Sequence, residues 1–178
     1  AWFPDVPLAG DVRRLEKLPA GVDLLAAGFP CQDLSQAGAA RGIRGRRSGL
    51  VGEVFRLLAK QPVPWLLLEN VPFMLHLQRG KAMALITQRL TELGYRWAYR
   101  VVDAQAFGLP QRRRRVFLLA SSKGNPADVL FADDATPRRE RVWGRKGSVG
   151  FYWTEGNRGV GWAVDAVPTL KDRKSTRL

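Results

Sequence analysis

Cysteine and histidine are almost absent from this sequence, and each scarcity removes a class of site. One cysteine in 178 residues excludes an internal disulfide and any multi-cysteine zinc site. The single histidine, His76, lies apart from every sequence motif and is predicted to be a packing or surface residue. Cys31 therefore has to be explained by itself, either as a small buried side chain or as a reactive thiol.

Long apolar runs are also missing. The most apolar stretch, residues 65–77, is interrupted by Glu69, Asn70 and Pro72 and is shorter than the roughly 20 residues that cross a bilayer. The N-terminus has neither a Met nor the basic-then-apolar order of a secretion signal. These features predict a cytoplasmic protein without membrane association, and a chain that begins inside a longer one.

Acidic residues are few compared with basic ones. There are 16 Asp and Glu against 29 Lys and Arg, which gives a formal net charge of +13. This excess favours a polyanionic partner, because contacts with phosphates release condensed counterions. On charge alone, nucleic acid is the first candidate and a membrane surface the second. The apolar content of 46% is enough to form a core and argues against disorder throughout.

Apolar runs alternate with helical patterns in the first 121 residues. Residues 22–27 and 65–68 predict strands that are buried on both faces, as in a parallel sheet, and further strands are predicted at 95–102 and 115–120. Apolar residues recur at helical spacing at Leu50, Val51, Val54, Leu57 and Leu58, and again at Met83, Ile86, Leu90 and Leu93, with Gly94 as a C-cap. This order predicts an α/β fold whose mostly parallel sheet carries helices on both faces.

The composition changes after residue 121, where Gly, Arg and Trp become frequent. We therefore predict two regions, residues 1–121 and residues 122–178. Basic and aromatic residues together can stack on bases and hold phosphates, although scattered tryptophans equally suit a small core. In the first region, residues 28–32 and 69–71 follow predicted strands, at the edge where α/β sheets bind their ligands.

Cys31 lies in one of these strand-end segments, in a turn formed by Gly28 and Pro30. Nearby N–H groups and cations in such a turn can favour the thiolate of a group whose ordinary pKa is about 8.5. Residues 28–38 read GFPCQDLSQAG, and RSGL (47–50), ENV (69–71) and GLPQRRRRVF (108–117) follow in that order. Together these segments resemble the motifs of the DNA (cytosine-5)-methyltransferases.

The resemblance implies an incomplete Rossmann-like methyltransferase fold and, in residues 122–178, part of a variable target-recognition region. It implies S-adenosylmethionine as methyl donor, cytosine C5 in double-stranded DNA as acceptor, and no metal. A monomer from a bacterial or phage restriction-modification setting is expected. The glycine-rich cofactor strand of the family is expected to precede residue 1.

The resemblance also implies the roles of four catalytic side chains. Cys31 would add to C6 of a flipped cytosine, which turns the ring into an enamine that is nucleophilic at C5. Glu69 would present a protonated or proton-sharing carboxyl to N3. Arg113 and Arg115, which alternate along a predicted strand and project to one face, would contact the base O2, the thiol and phosphates.

Two further sets of residues are implied by the same motifs. Asp11, from the Gly-Asp-Val segment at 10–12, would accept the adenine amino group of the cofactor. The implied cofactor contacts are Asp11, Val12, Pro30 and Leu50, and the implied DNA contacts are Gln32, Ser35 and Gln111. Two alternatives remain: a tRNA-methylating relative with similar motifs, and a truncated chain that binds DNA without turnover.

Overall fold

We describe the fold from a computed structural model, for residues 4–29, 49–109 and 111–132 and for the backbone of three strands between 149 and 168. The chain divides into two compact units. The first comprises Ala1–Arg100 and Val116–Asp133, and the second comprises Val101–Arg115 and Asp134–Leu178. The predicted boundary after residue 121, between a catalytic core and a target-recognition region, stays a prediction.

Strands and helices alternate along the first part of the chain. The described strands are β1 (Leu24–Gly28), β2 (Trp65–Asn70), β3 (Arg96–Asp103), β4 (Gln111–Arg112), β5 (Arg114–Ser121), β6 (Val149–Trp153), β7 (Val160–Val164) and β8 (Val167–Pro168). The described α-helices are α1 (Leu50–Lys60), α2 (Lys81–Glu92) and α3 (Pro126–Leu130). Short 3-10 helices cover Val12–Arg14, Pro72–Leu75 and Ala104–Phe107.

Four of these strands form one sheet, in the order β1-β2-β5-β3. β1 and β2 are parallel, while β5 runs antiparallel to β2. The predicted α/β fold is confirmed, and its described sheet is mixed. Nothing in the apolar run of β5 could have indicated its direction, because the direction of a strand depends on the path of the connection before it and not on the composition of the strand.

The two predicted helices form as the apolar spacing indicated. The face of α1 that packs inward carries Val51, Val54, Phe55, Leu57 and Leu58. In α2 the buried positions are Ala82, Met83, Ile86 and Leu90, and Gly94 follows the helix with φ +80°. A left-handed residue at this point favours glycine and lets the chain turn back, so that Tyr95 N–H donates to the Leu90 carbonyl at 2.9 Å.

The sheet is more exposed at β1 than the sequence indicated. Along β2, half-buried and buried residues alternate, whereas β1 alternates between exposed and half-buried residues. The prediction that both strands are buried on both faces is therefore wrong for β1, where Leu24 is 52% exposed. A short apolar run shows that a strand is suited to burial but not which of its faces is covered.

A close contact between a glycine and an indole ring lies at the other end of β2. A Cβ placed on Gly124 would lie 2.6 Å from Cζ2 of Trp65, far inside van der Waals contact. We expect Gly124→Ala to lower the free energy of unfolding by about 1–3 kcal/mol, because the indole ring must move. Urea unfolding measures this difference. Gly10→Ala is the matched control, since no atom lies within 4 Å of a Cβ at Gly10, and an equal loss in both variants would contradict the prediction.

The second unit contains two small strand pairs. β4 pairs with β8 in parallel, and β6 pairs with β7 as an antiparallel ladder from Val149↔Val164 to Trp153↔Val160. The 3-10 helix Ala104–Phe107 is capped by Asp103, whose carboxylate accepts the Gln105 N–H at 3.1 Å. Within the described ranges, no helix has both the length and the apolarity required to cross a membrane.

Candidate functional site

The parallel pairing of β1 and β2 brings the ends of both strands to one edge of the sheet. Gly28, the last residue of β1, lies directly opposite Glu69, the fifth of the six residues of β2. Glu69 is half-buried at this edge. The strand-end placement of Glu69 is therefore as the apolar runs predicted.

The absence of a side chain at Gly28 creates the space in which the Glu69 carboxyl lies. A Cβ placed on Gly28 would lie 3.3 Å from Oε2 of Glu69, which is tighter than ordinary van der Waals contact. The carboxyl group thus lies over the backbone of β1, close to where the chain continues toward Pro30. The closeness of the Glu69 carboxyl to the backbone of β1 explains why a glycine occupies position 28 of the GFPCQ segment, which the sequence alone did not reveal.

Asn70 connects the ends of the two strands through a buried side-chain amide. Its Nδ2 donates to the Phe29 carbonyl at 2.8 Å, and its Oδ1 accepts the Val71 N–H at 2.8 Å. Asn70 is 4% exposed and Phe29 is 7% exposed. In the sequence, Asn70 is noticeable only as part of the ENV segment and as a polar break in an apolar run. The signal that could have found it is its position on the same side of β2 as the buried Leu66 and Leu68.

Four of the predicted site residues lie outside the described residues. They are Pro30, Cys31, Gln32 and Ser35. The described chain ends at Phe29 on one side of this segment and resumes at Gly49 on the other. The predicted roles of these four residues as nucleophile, cofactor contact and DNA contacts therefore stay predictions.

Asp11, the predicted adenine contact, caps the 3-10 helix Val12–Arg14. Its Oδ1 accepts the Arg13 N–H at 2.9 Å, and both carboxylate oxygens accept from the Arg13 guanidinium at 2.8–3.1 Å. The side-chain hydrogen bonds from Arg13, followed by its backbone N–H, lower the pKa of Asp11 to about 2. The carboxylate is thus ionised at neutral pH, but a ligand amino group would have to displace the guanidinium.

Arg56 on α1 holds the segment that contains Asp11 and Val12. Its Nη2 donates to the carbonyls of Leu15 at 2.7 Å and Val12 at 3.3 Å, and its Nε donates to Glu53 at 2.6 Å. Val12 is thereby attached through its backbone. Leu50, the other described cofactor candidate in this unit, is the first residue of α1 and is 38% exposed.

In the second unit, the arginine run is divided between two strands. β4 ends at Arg112 and β5 begins at Arg114, so Arg113 lies between them. The Arg113 N–H donates to the Gln111 carbonyl at 2.9 Å, and the Arg113 carbonyl accepts the Ala104 N–H at 3.0 Å. The expectation that Arg113 and Arg115 lie on one continuous strand is therefore wrong, because this local turn and the bond to Ala104 interrupt it.

The predicted alternation of these arginines nevertheless holds in their exposure. Arg113 and Arg115 are half-buried, whereas Arg112 and Arg114 are exposed. Arg115 donates from Nη1 to the Arg114 carbonyl at 2.8 Å. Gln111, the predicted DNA contact, is half-buried in β4. The roles of all three predicted residues at a base or phosphate stay predictions.

Comparison with solved structures shows the fold class. The chain is similar to the crystal structure of the Dnmt2 methyltransferase of S. pombe, with a TM-score of 0.51 and 22% sequence identity. The similarity covers 70% of this chain and 39% of that one. The described core is thus part of a methyltransferase fold, and this similarity shows only the fold.

The family is shown by sequence. Residues 4–148 match the C-5 cytosine-specific DNA methylase family, and the chain belongs to that family. It is 54% identical over 177 residues to the Type II methyltransferase M2.BsuMI of Bacillus subtilis (strain 168), covering 95% of this chain and 45% of the relative. It is 33% identical to M.NgoBV of Neisseria gonorrhoeae, covering 79% of this chain and 35% of that protein. The chain thus spans less than half the length of these relatives.

Proposed function

We propose that the protein transfers a methyl group from S-adenosylmethionine to C5 of cytosine in double-stranded DNA, through a covalent bond to Cys31. The observation that carries this proposal is the opposition of Gly28 and Glu69 at the ends of two parallel strands. Cys31 follows Gly28 by three residues, and three residues extend at most about 11 Å. This short connection supports a position of the thiol close to the Glu69 carboxyl.

The proposed reaction needs both groups at once. A cytosine must leave the stack, because a thiol cannot reach C6 within the duplex. The Cys31 sulfur forms a bond to C6, and the electron pair of the C5=C6 bond moves through the ring toward N3, where the Glu69 carboxyl supplies a proton. C5 is then nucleophilic and takes the methyl group, while the bond from the methyl group to the donor sulfur breaks and its electron pair leaves with that sulfur. Loss of the C5 proton to a base, departure of the Cys31 sulfur as thiolate and return of the N3 proton to Glu69 restore the aromatic ring, the free thiolate and the carboxylic acid.

S-adenosylmethionine, when bound, supplies an electrophilic methyl group on sulfur. The described residues suit its adenosyl part, because the ionised carboxylate of Asp11 can accept an amino group once the Arg13 guanidinium moves aside, and Val12 and Leu50 are apolar and partly exposed. Arg56 keeps the backbone next to Asp11 in place. The net charge of +13 supports DNA as the partner.

The test is methyl transfer by the whole protein that carries this sequence. Duplex DNA of mixed sequence and tRNA are incubated separately with methyl-labelled S-adenosylmethionine, and the modified nucleosides are identified by mass spectrometry. We expect 5-methylcytosine in the duplex. Modification of tRNA alone would support the RNA-methylating alternative, and DNA binding without any methylated base would support the binding-only alternative.

Gly28→Ala tests the close approach of the carboxyl to β1. The new methyl group would lie 3.3 Å from Glu69 Oε2 and displace the carboxyl by a few tenths of an ångström. We expect kcat to fall, by less than the roughly 10²-fold that a misplacement of 1 Å costs. Stability should stay level or rise by about 0.4–1 kcal/mol, since alanine restricts the unfolded chain. Thermal unfolding and single-turnover methylation separate the two, and an unchanged kcat would contradict the proposed contact.

A further inference from the structure

Two polar side chains are buried among the described residues, and they lie at opposite ends of β2. Asn70 is 4% exposed at one end, and Ser121, which pairs with Trp65 at the other end, is fully buried. A buried polar group is retained only if its hydrogen bonds are made, and both residues make theirs with backbone groups. Ser121 closes the turn after β5, whereas Asn70 binds the chain that leads to Cys31.

The bond from Asn70 to Phe29 continues the strand pairing where the backbone can no longer do so. The β1–β2 ladder ends at the pair of Gly28 and Glu69. Pro30 has no N–H to donate, so a backbone hydrogen bond that would continue the ladder cannot form from that residue. The side-chain amide of Asn70 supplies a hydrogen bond in place of a backbone N–H, and its Nδ2 donates to the Phe29 carbonyl at 2.8 Å.

The same amide also fixes the strand that carries Glu69. Its Oδ1 accepts the N–H of Val71, so the donor of the amide is turned toward Phe29 and its acceptor toward β2. Neither end of the amide can rotate without leaving a buried group unpaired. Phe29 is itself restricted to extended conformations as the residue before a proline. The direction in which the chain leaves β1 is thus set by a proline and an amide together.

We infer that Asn70 is a positioning residue for the nucleophile: it sets the path of the chain from β1 into the Pro30-Cys31 turn, and so the distance between the Cys31 thiol and the Glu69 carboxyl. This inference rests on the proposed function. Asn70 does not touch the reacting base, because its amide is occupied within the buried strand ends. Its loss should slow the formation of the bond to C6 and leave the binding of DNA unchanged.

The experiment compares three variants of the whole protein. Asn70→Ala removes both hydrogen bonds, and Asn70→Asp keeps the acceptor for Val71 while it replaces the donor toward Phe29. Ser121→Ala is the matched control, because it removes a buried hydrogen bond of 2.9 Å to the Pro64 carbonyl at the far end of β2. The readouts are the single-turnover rate of adduct formation with 5-fluorocytosine duplex DNA, the Kd for DNA, and the thermal midpoint.

We expect both Asn70 variants to form the adduct about 10²-fold more slowly than the wild type, the cost of a misplacement near 1 Å, with an unchanged Kd for DNA. Ser121→Ala should lower the thermal midpoint without slowing the adduct. Equal rates for Asn70→Asp, Ser121→Ala and wild type, each corrected for the folded fraction, would overturn the inference and leave the proposed function standing. A wild type that forms no adduct and methylates no DNA would overturn both.

Discussion

Cys31→Ser is expected to reduce methyl transfer by more than about 10⁴-fold, the scale on which loss of a covalent nucleophile acts. A serine hydroxyl is not ionised near neutral pH, whereas a cysteine is already partly thiolate and intrinsically nucleophilic. Without addition at C6, cytosine C5 does not become nucleophilic. The measurement is single-turnover methylation of duplex DNA, together with gel detection of the adduct with 5-fluorocytosine DNA.

The control for this variant is DNA binding. Serine is close in size to cysteine, so the Kd for DNA and the thermal midpoint should stay near their wild-type values. If Cys31→Ser loses both methylation and folding, Cys31→Ala tests the role of the thiol instead, because alanine keeps an apolar side chain at this position. Methylation at the normal rate by either variant would exclude the covalent mechanism.

Glu69→Gln is expected to lower kcat by about 10²–10⁴-fold, the range over which a positioned general acid acts. Glutamine keeps the length of the side chain and can still donate a hydrogen bond to N3, but it cannot deliver a proton there. Glu69 is half-buried at the end of β2, and the substitution adds no volume, so stability should change little. The rate is measured as single-turnover methylation at saturating DNA and S-adenosylmethionine.

Glu16→Gln provides the matched control for this prediction. Glu16 undergoes the same chemical change but is exposed between the segment of Asp11 and β1. It should methylate at the wild-type rate and bind DNA equally well. If Glu69→Gln and Glu16→Gln were equally active, the Glu69 carboxyl would have no part in protonating the ring.

Local pattern was sufficient to predict most strands of the core. The predicted strands at 95–102 and 115–120 differ by one residue at each end from β3 (Arg96–Asp103) and β5 (Arg114–Ser121). These strands depend on apolar side chains that a short window contains. The interruption at Arg113 was not predictable in that way, because it depends on a bond to Ala104 from another part of the unit.

The supporting residues of the candidate site were missed for a related reason. Asn70 binds Phe29 across 41 positions of the chain, and Arg56 binds the carbonyls of Leu15 and Val12 across 41 and 44 positions. A sequence motif shows which residues carry chemistry, but a hydrogen bond to a distant carbonyl leaves no local trace. Arg13 was also missed, although it lies only two residues from Asp11 and its guanidinium donates to both oxygens of that carboxylate.

The alternation along β2 has a consequence for how this strand tolerates change. Glu69 and Asn70 are consecutive and point to opposite faces of the sheet, Glu69 to the half-buried face and Asn70 into the core. Deleting a single residue from the run before them would turn each side chain to the other face of the sheet: an ionisable carboxyl would point into the apolar interior, and an amide would take the place of the carboxyl at the end of the strand. Point substitutions at Leu66 or Leu68 can lower the stability of the fold alone. A change in the length of the strand would lower the stability and also displace the Glu69 carboxyl. Homologous chains should therefore vary the composition of this strand while they keep its residue count.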